Sequence, residues 1–222
     1  MAVRKKSNRF TSASQTDPAV SHTYREYRGP VKKNGEGTPA KNDAMKIELP
    51  PMKIGTFRIT LVGDAPLICH AWSHKAKKMM LDKQMKRAKV AKEAKDPERD
   101  FQDSLYKLPN GKYGFPSIAF KAAAVGACSH VDGVTKVVAR GAFHIDGDMV
   151  EIKGTPTMRE DMVRTSTGVA DIRYRGEFRE WSATFDVRHN ENVLAVEQIV
   201  NLFNTAGFSI GVGDWRPQRN GS

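Results

Sequence analysis

The residues that could do chemistry are densest between positions 207 and 221, which read Gly-Phe-Ser-Ile-Gly-Val-Gly-Asp-Trp-Arg-Pro-Gln-Arg-Asn-Gly. Gly211 and Gly213 remove side chains that would hold backbone N–H groups away from an anion, and Trp215, Arg216 and Arg219 stand beside them. Close backbone approach, guanidinium for phosphate and an aromatic face for a base together equip a chain to bind single-stranded nucleic acid. A tight turn carrying surface arginines is the plainer reading of the same residues.

His70, His74, His130, His144, Asp64 and Asp214 are the candidates for acid–base work on RNA. Such work needs a base within hydrogen-bond reach of a 2′-hydroxyl, which spacing alone does not supply. Cys69, His70, His74, Cys128 and His130 are the right types for tetrahedral zinc. Their spacing matches no standard zinc module, and lone cysteines in apolar surroundings read as core in a reducing compartment. The expectation is no catalytic residue, no metal and no cofactor.

Thirty-six Lys+Arg against 25 Asp+Glu leave a net charge of +11. That balance favours a polyanionic partner, nucleic acid first and an acidic membrane surface second. An N-terminal apolar h-region is absent and no apolar run reaches about 18 residues, so the expectation is a cytoplasmic protein with no membrane span. The basic residues cluster in three places. Residues 1–45 hold nine against four acids and little apolar surface, the composition of a disordered arm. That arm either orders on nucleic acid or a neighbouring subunit, or serves as a solubilising tail. Lys75 to Lys95 holds nine against two, and Lys77, Lys78, Lys83, Lys86, Arg87 and Lys89 are expected to line a groove. Between Gly154 and Gly176 apolar periodicity fades and Arg159, Arg164, Arg173 and Arg175 collect around Thr165–Gly168.

Alternation in Gly55–Val62 and Phe178–Arg188 predicts two half-buried strands. A Lys-rich helix is expected from Ala71 to about Lys95, ended by Asp96-Pro97, and a turn at Pro109-Asn110-Gly111. Ser117 caps a second helix whose small residues, Ala122 to Ala127, suit close packing. Thr135–Lys153 reads as a hairpin turning at Asp146-Gly147-Asp148. Val193, Val196, Ile199, Val200 and Phe203 predict the last helix, capped by Asn190 or Asn192 and ended by Gly207. The order is β-α-β-β-α, an α+β, ferredoxin-like (RRM-like) core over residues 46–222. It carries a helical insertion at 71–112 and a thumb-like hairpin or loop at 154–177.

With this order in hand, the chain resembles the RAMP superfamily of CRISPR-associated RNA-binding proteins, in particular its backbone-forming subunits. Residues 115–123, Phe-Pro-Ser-Ile-Ala-Phe-Lys-Ala-Ala, look like the family's Pro-Gly-Ser-Ser-Leu-Lys-Gly segment at the start of its first helix. The last helix with Gly207, Gly211, Gly213, Trp215, Arg216 and Arg219 looks like the family's second helix and glycine-rich loop. Ser117 replaces the family's first glycine, Ala122 its second, and the fourth strand of the fold is missing before Ser222. That strand is expected from a longer chain, from residues 207–213, or from another chain. The resemblance implies non-catalytic, largely sequence-independent binding of single-stranded RNA or DNA, in a homo-oligomer or filament and with other effector-complex subunits. Gly211, Gly213, Trp215, Arg216, Arg219, the groove lysines, Lys121, Arg164, Arg173 and Arg175 would form the contacts. The alternatives are an assembly or inhibitor protein of a phage or mobile element that mimics such a subunit, and a RAMP-type endoribonuclease.

Overall fold

A computed structural model of the chain describes residues 51–87, 94–164 and 167–220. They belong to one compact unit, Leu49–Ser222. The expected basic arm and Lys89 lie outside the described residues.

In chain order the elements begin with β1 (Ile54–Val62), β2 (Leu67–Cys69), α1 (His74–Gln84), α2 (Pro97–Ser104), β3 (Tyr106–Lys107) and β4 (Tyr113–Pro116). There follow α3 (Ser117–Ala127), α4 (Lys136–Ala142), β5 (Phe143–Ile145), β6 (Met149–Lys153), β7 (Pro156–Arg164) and β8 (Ala170–Phe178). The chain closes with β9 (Ser182–Asn190), α5 (Val196–Ser209) and a short α6 (Pro217–Asn220). The fold is mixed α+β with two antiparallel sheets. One runs β1-β9-β6-β4-β3 with β5 also beside β9, and the other runs β2-β8-β7.

Period-two alternation builds the main sheet. Ala183, Phe185 and Val187 of β9 are buried, and Phe57, Ile59 and Leu61 of β1 pack against the same core. On the opposite face Arg58 makes a two-pronged bond to Asp186 at 2.7 and 2.8 Å, and Thr60 meets Thr184 at 2.9 Å. Helices α3 and α5 cover the core face. Phe185 stands edge-on to Phe203 of α5 at 5.7 Å and lies tilted against Phe120 of α3 at 5.4 Å. The small run in α3, with Ala123, Ala124 and Ala127 buried, lets the two helices lie close.

Several expectations are corrected. Asp96-Pro97, expected to end a helix, starts one: Asp96 Oδ1 accepts from the Arg99 N–H and Pro97 supplies the fixed φ of a first helical turn. Residues 136–142 are helical although Val137 and Val138 favour strand. Thr135 Oγ1 accepts from the Val138 N–H, and Ala139 and Ala142, three apart, are both buried. The expected hairpin at 146–148 is a loop-out within one edge. Both β5 and β6 run antiparallel to β9, so the chain keeps its direction past Gly147, whose φ of +81° permits the excursion. The Lys-rich helix stops at Gln84. Ser117 is the first residue of α3, not its cap. Helix α5 runs through Gly207, and Ala195 stands at its start with its N–H on Gln198 Oε1.

Candidate nucleic-acid interface

The bend after α5 has a structural reason for both glycines. Gly211 has φ +67° and its N–H donates to the Ala206 carbonyl at 2.8 Å, closing the helix. Gly213 has φ +82°, and a Cβ there would stand 2.6 Å from the Ile68 carbonyl oxygen. The next residue, Asp214, donates its N–H to that same carbonyl at 3.0 Å. The bend is therefore docked on β2, and the Gly211 amide expected to meet phosphate is already engaged. Arg216 folds back, Nη1 donating to the Gly213 carbonyl at 3.2 Å. Trp215 points its indole N–H at Asp161 Oδ2, 3.2 Å away, and stays 41% exposed. Arg219 is exposed on α6.

The arginine-bearing excursion is a long hairpin, β7 paired with β8 from Pro156↔Phe178 to Arg164↔Ala170. Its root is an ionic lattice. Asp161 accepts from Arg159 and Arg175, both at 2.9 Å, and Arg159 also donates to Glu177 at 2.8 Å. Arg175 reaches Asp214 at 3.3 Å and is only 5% exposed. The expectation that Arg175 projects from a thumb is thereby corrected: it lies in the stretch of β8 from Arg175 to Phe178 that is buried throughout, and two carboxylates, Asp161 and Asp214, neutralise it there. Arg164 is exposed at the far end of β7. Burial works to raise the Asp161 carboxyl, but the hydrogen bonds from Arg159 and Arg175 outweigh it and hold the group below its ordinary range. At Asp214 the hydrogen bond from His70 leads, joined by the charge of Arg175, and the carboxyl is likewise held low against burial.

Helix α1 opens on the Ser73 hydroxyl, which accepts from the Ala76 N–H at 3.1 Å. None of its residues is buried. Lys77, Lys78, Lys83 and Lys86 make no ion pair among the described residues, while Arg87 is held by Asp82 at 3.0 Å. Lys77 places its ammonium 5.8 Å from the centre of the Trp72 ring. Lys121 is half-buried, donating to the Arg140 carbonyl at 2.9 Å beside His144, and burial lowers its pKa.

Two clefts meet at His70. One, of about 320 Å³, is lined by Gly211, Gly213, Asp214, Arg216 and the small residues Ala119, Ala122 and Ala123 of α3. The other, of about 350 Å³, lies between the start of α1, α2 and β8, and includes Trp72, Arg173 and Tyr174. The structure thus gathers Gly211, Gly213 and Arg216 in one cleft, Arg173 in the next, and Lys77 at the rim of the second through Trp72. Lys121 and Arg164 line neither. Trp72 and Tyr174 line the second cleft and were not singled out from the sequence. An exposed tryptophan immediately before a helix cap and a lysine run was the one available signal.

Of the acid–base candidates, His70 and Asp214 come together, with Nδ1 3.1 Å from Oδ2. The zinc candidates do not assemble: among the described residues no three His, Cys, Asp or Glu could share a metal ion. Cys69 is fully buried in β2 and burial pushes its thiol up to about 12, while His74 and His130 are exposed. Among the described residues no helix is long and apolar enough to cross a membrane. No family model and no curated protein matches the chain.

Proposed function

We propose that the chain binds single-stranded RNA or DNA without catalysis, as an oligomerising, RAMP-like backbone subunit. The observation that carries this reading is α1. It is an eleven-residue helix with nothing buried, and helices this short are marginal in water by themselves. Lys77, Lys78 and Lys83 in it, and Lys86 just past its end, have no acidic partner among the described residues, so a polyanion is the partner that would hold it. The helix begins at the second cleft, which Ser73 and Ala76 line, and that cleft shares His70 with the one that holds Arg216.

The ferredoxin-like reading draws on strand order. β1, α3, the interrupted β5–β6 strand, β9 and α5 follow one another in the chain, and β9 lies between β1 and β5–β6. Among the described residues no strand pairs with the other edge of β1. An edge of nine residues is a template for strand addition, the route by which copies could stack.

Fluorescence anisotropy of labelled single strands, titrated at several salt concentrations, tests the reading. The logarithm of affinity should fall linearly with the logarithm of salt, with a slope of about −0.7 per phosphate neutralised. A flat response, or equal affinity for duplex, would sink it. One observation favours a second reading. The His70–Asp214 pair fixes the Nδ1 hydrogen and leaves Nε2 for a proton from a 2′-hydroxyl. Labelled RNA cut by the wild-type chain but not by His70→Ala would establish cleavage.

A further inference from the structure

Resting on that reading, we propose that the cleft lined by Trp72 and Tyr174 is a subsite for an unpaired nucleobase, with a preference for bases that carry an exocyclic amino group. Base contact was expected of Trp215, but its indole N–H is tied to Asp161 and its backbone is locked in the left-handed region at φ +58°. Trp72 is 55% exposed. The Lys77 ammonium lies over its ring, and the aromatic surface that remains exposed at the lining of a cleft is suited to stacking.

The charges decide what enters. Lys95 and Arg173 flank the cleft, but both already face Asp171, at 2.8 and 3.6 Å. Asp100 and Asp103 of α2 also line it and make no ion pair among the described residues. Two unpaired carboxylates repel a phosphate and accept hydrogen bonds from an amino group. Adenine, guanine and cytosine present such a group; uracil and thymine do not. Phosphate is then left to the outer lysines. Lys77, with its ammonium over the Trp72 ring, would bridge the two by meeting the phosphate next to the stacked base. The volume of about 350 Å³ is within the range of small-ligand sites.

The full chain, free of bound nucleic acid, would be titrated with oligo(dA), oligo(dT) and an abasic strand of equal length, reading anisotropy and tryptophan emission. The wild type should bind oligo(dA) more tightly than oligo(dT) and lose emission on binding. Trp72→Ala should weaken oligo(dA) binding about tenfold and leave abasic binding unchanged. Trp72→Phe should keep most of the affinity while losing the quench. Tyr174→Leu tests the other aromatic residue of the lining. Circular dichroism of each variant separates lost binding from lost folding. Oligo(dA) affinity within about twofold of wild type in both Trp72→Ala and Tyr174→Leu, with the salt slope intact, overturns the subsite and leaves the binding function standing. No binding of any strand by the wild type overturns both.

Discussion

Asp161 holds more partners than any other carboxylate described, taking Arg159 Nε, Arg175 Nη1 and the Trp215 indole N–H. It is 7% exposed, and so is the Arg175 side chain. Removing one partner of a buried pair strands the other, so Asp161→Ala should cost about 3 kcal/mol in urea unfolding. Arg175 has no slack to absorb the loss, because its Nε already lacks a hydrogen-bond partner. Replacing both, as Asp161→Ala with Arg175→Met, should recover part of the stability. The acid dependence follows from the same contacts. Burial would raise Asp161 and Glu177, but hydrogen bonds, from Arg159 and Arg175 at the first and Arg159 and Arg179 at the second, hold both below the ordinary range. A carboxylate depressed in the folded state stabilises fully above its unfolded value, about 4, and loses that contribution as pH falls through the lower folded value. Between pH 7 and 5 these groups should leave stability flat, and below about 4 it should fall. Asp161→Asn should show a shallower acid limb; an unchanged limb would mean the lattice is not what acid breaks.

At the scale of elements, α1 and α5 make opposite cases. Helix α5 buries Ile199, Leu202, Phe203 and Ala206, spacing that can be read from sequence because one helical face meets one core. The alternating strands β1 and β9 were legible for the same reason, although β9 begins at Ser182 and Phe178, expected at its head, closes β8. Helix α1 buries nothing, so its charges say where it ends up but not what it touches. Where local signals competed, the expected element was wrong: Asp96-Pro97, expected to end the Lys-rich helix, instead opens α2, and Val137-Val138 yields to the alanines that pack. The direction of the chain past Gly147 depended on β9, which lies some forty residues away, and no local pattern carries that. Because α1 is outside the core, changing Lys77, Lys78, Lys83 and Lys86 to Gln together should shift unfolding free energy by no more than about 0.5 kcal/mol. The same variant should reduce the salt slope for single strands by up to about 3. Equal slopes for variant and wild type would remove α1 from the interface.

For the whole molecule, the question is whether the second sheet is an appendage or part of one body. The proposed interface depends on the answer, since its clefts take residues from 68–76, 95–106, 115–123, 171–174 and 210–218. Segments so far apart meet only through the tertiary fold, so the pairing of His70 with Asp214 had no trace in sequence, whereas the glycine–arginine bend did. The core is continuous across both sheets. Leu67 and Cys69 of β2 and Phe178 of β8 belong to the same buried cluster as Phe115, Phe120 and Phe185. Tyr113 stands edge-on to Phe178 at 5.6 Å, and the Gly176 N–H donates to Ser104 Oγ at 2.8 Å. A hairpin sharing that much core cannot unfold first without exposing the apolar surface that supports the main sheet, so the two should melt as one. Two tryptophans sit where this can be read. Trp181 bonds the Ala65 carbonyl at 2.9 Å beside the main sheet, and Trp215 bonds Asp161 in the second. In variants that keep only one of them, with the others changed to Phe, the urea transition by emission should coincide with that by circular dichroism in each case. A saturating single strand should move both transitions together, as mass action requires of a ligand that binds only the folded body. A Trp215 transition that precedes the loss of helix would make the hairpin a separate unit and leave the clefts without a rigid wall.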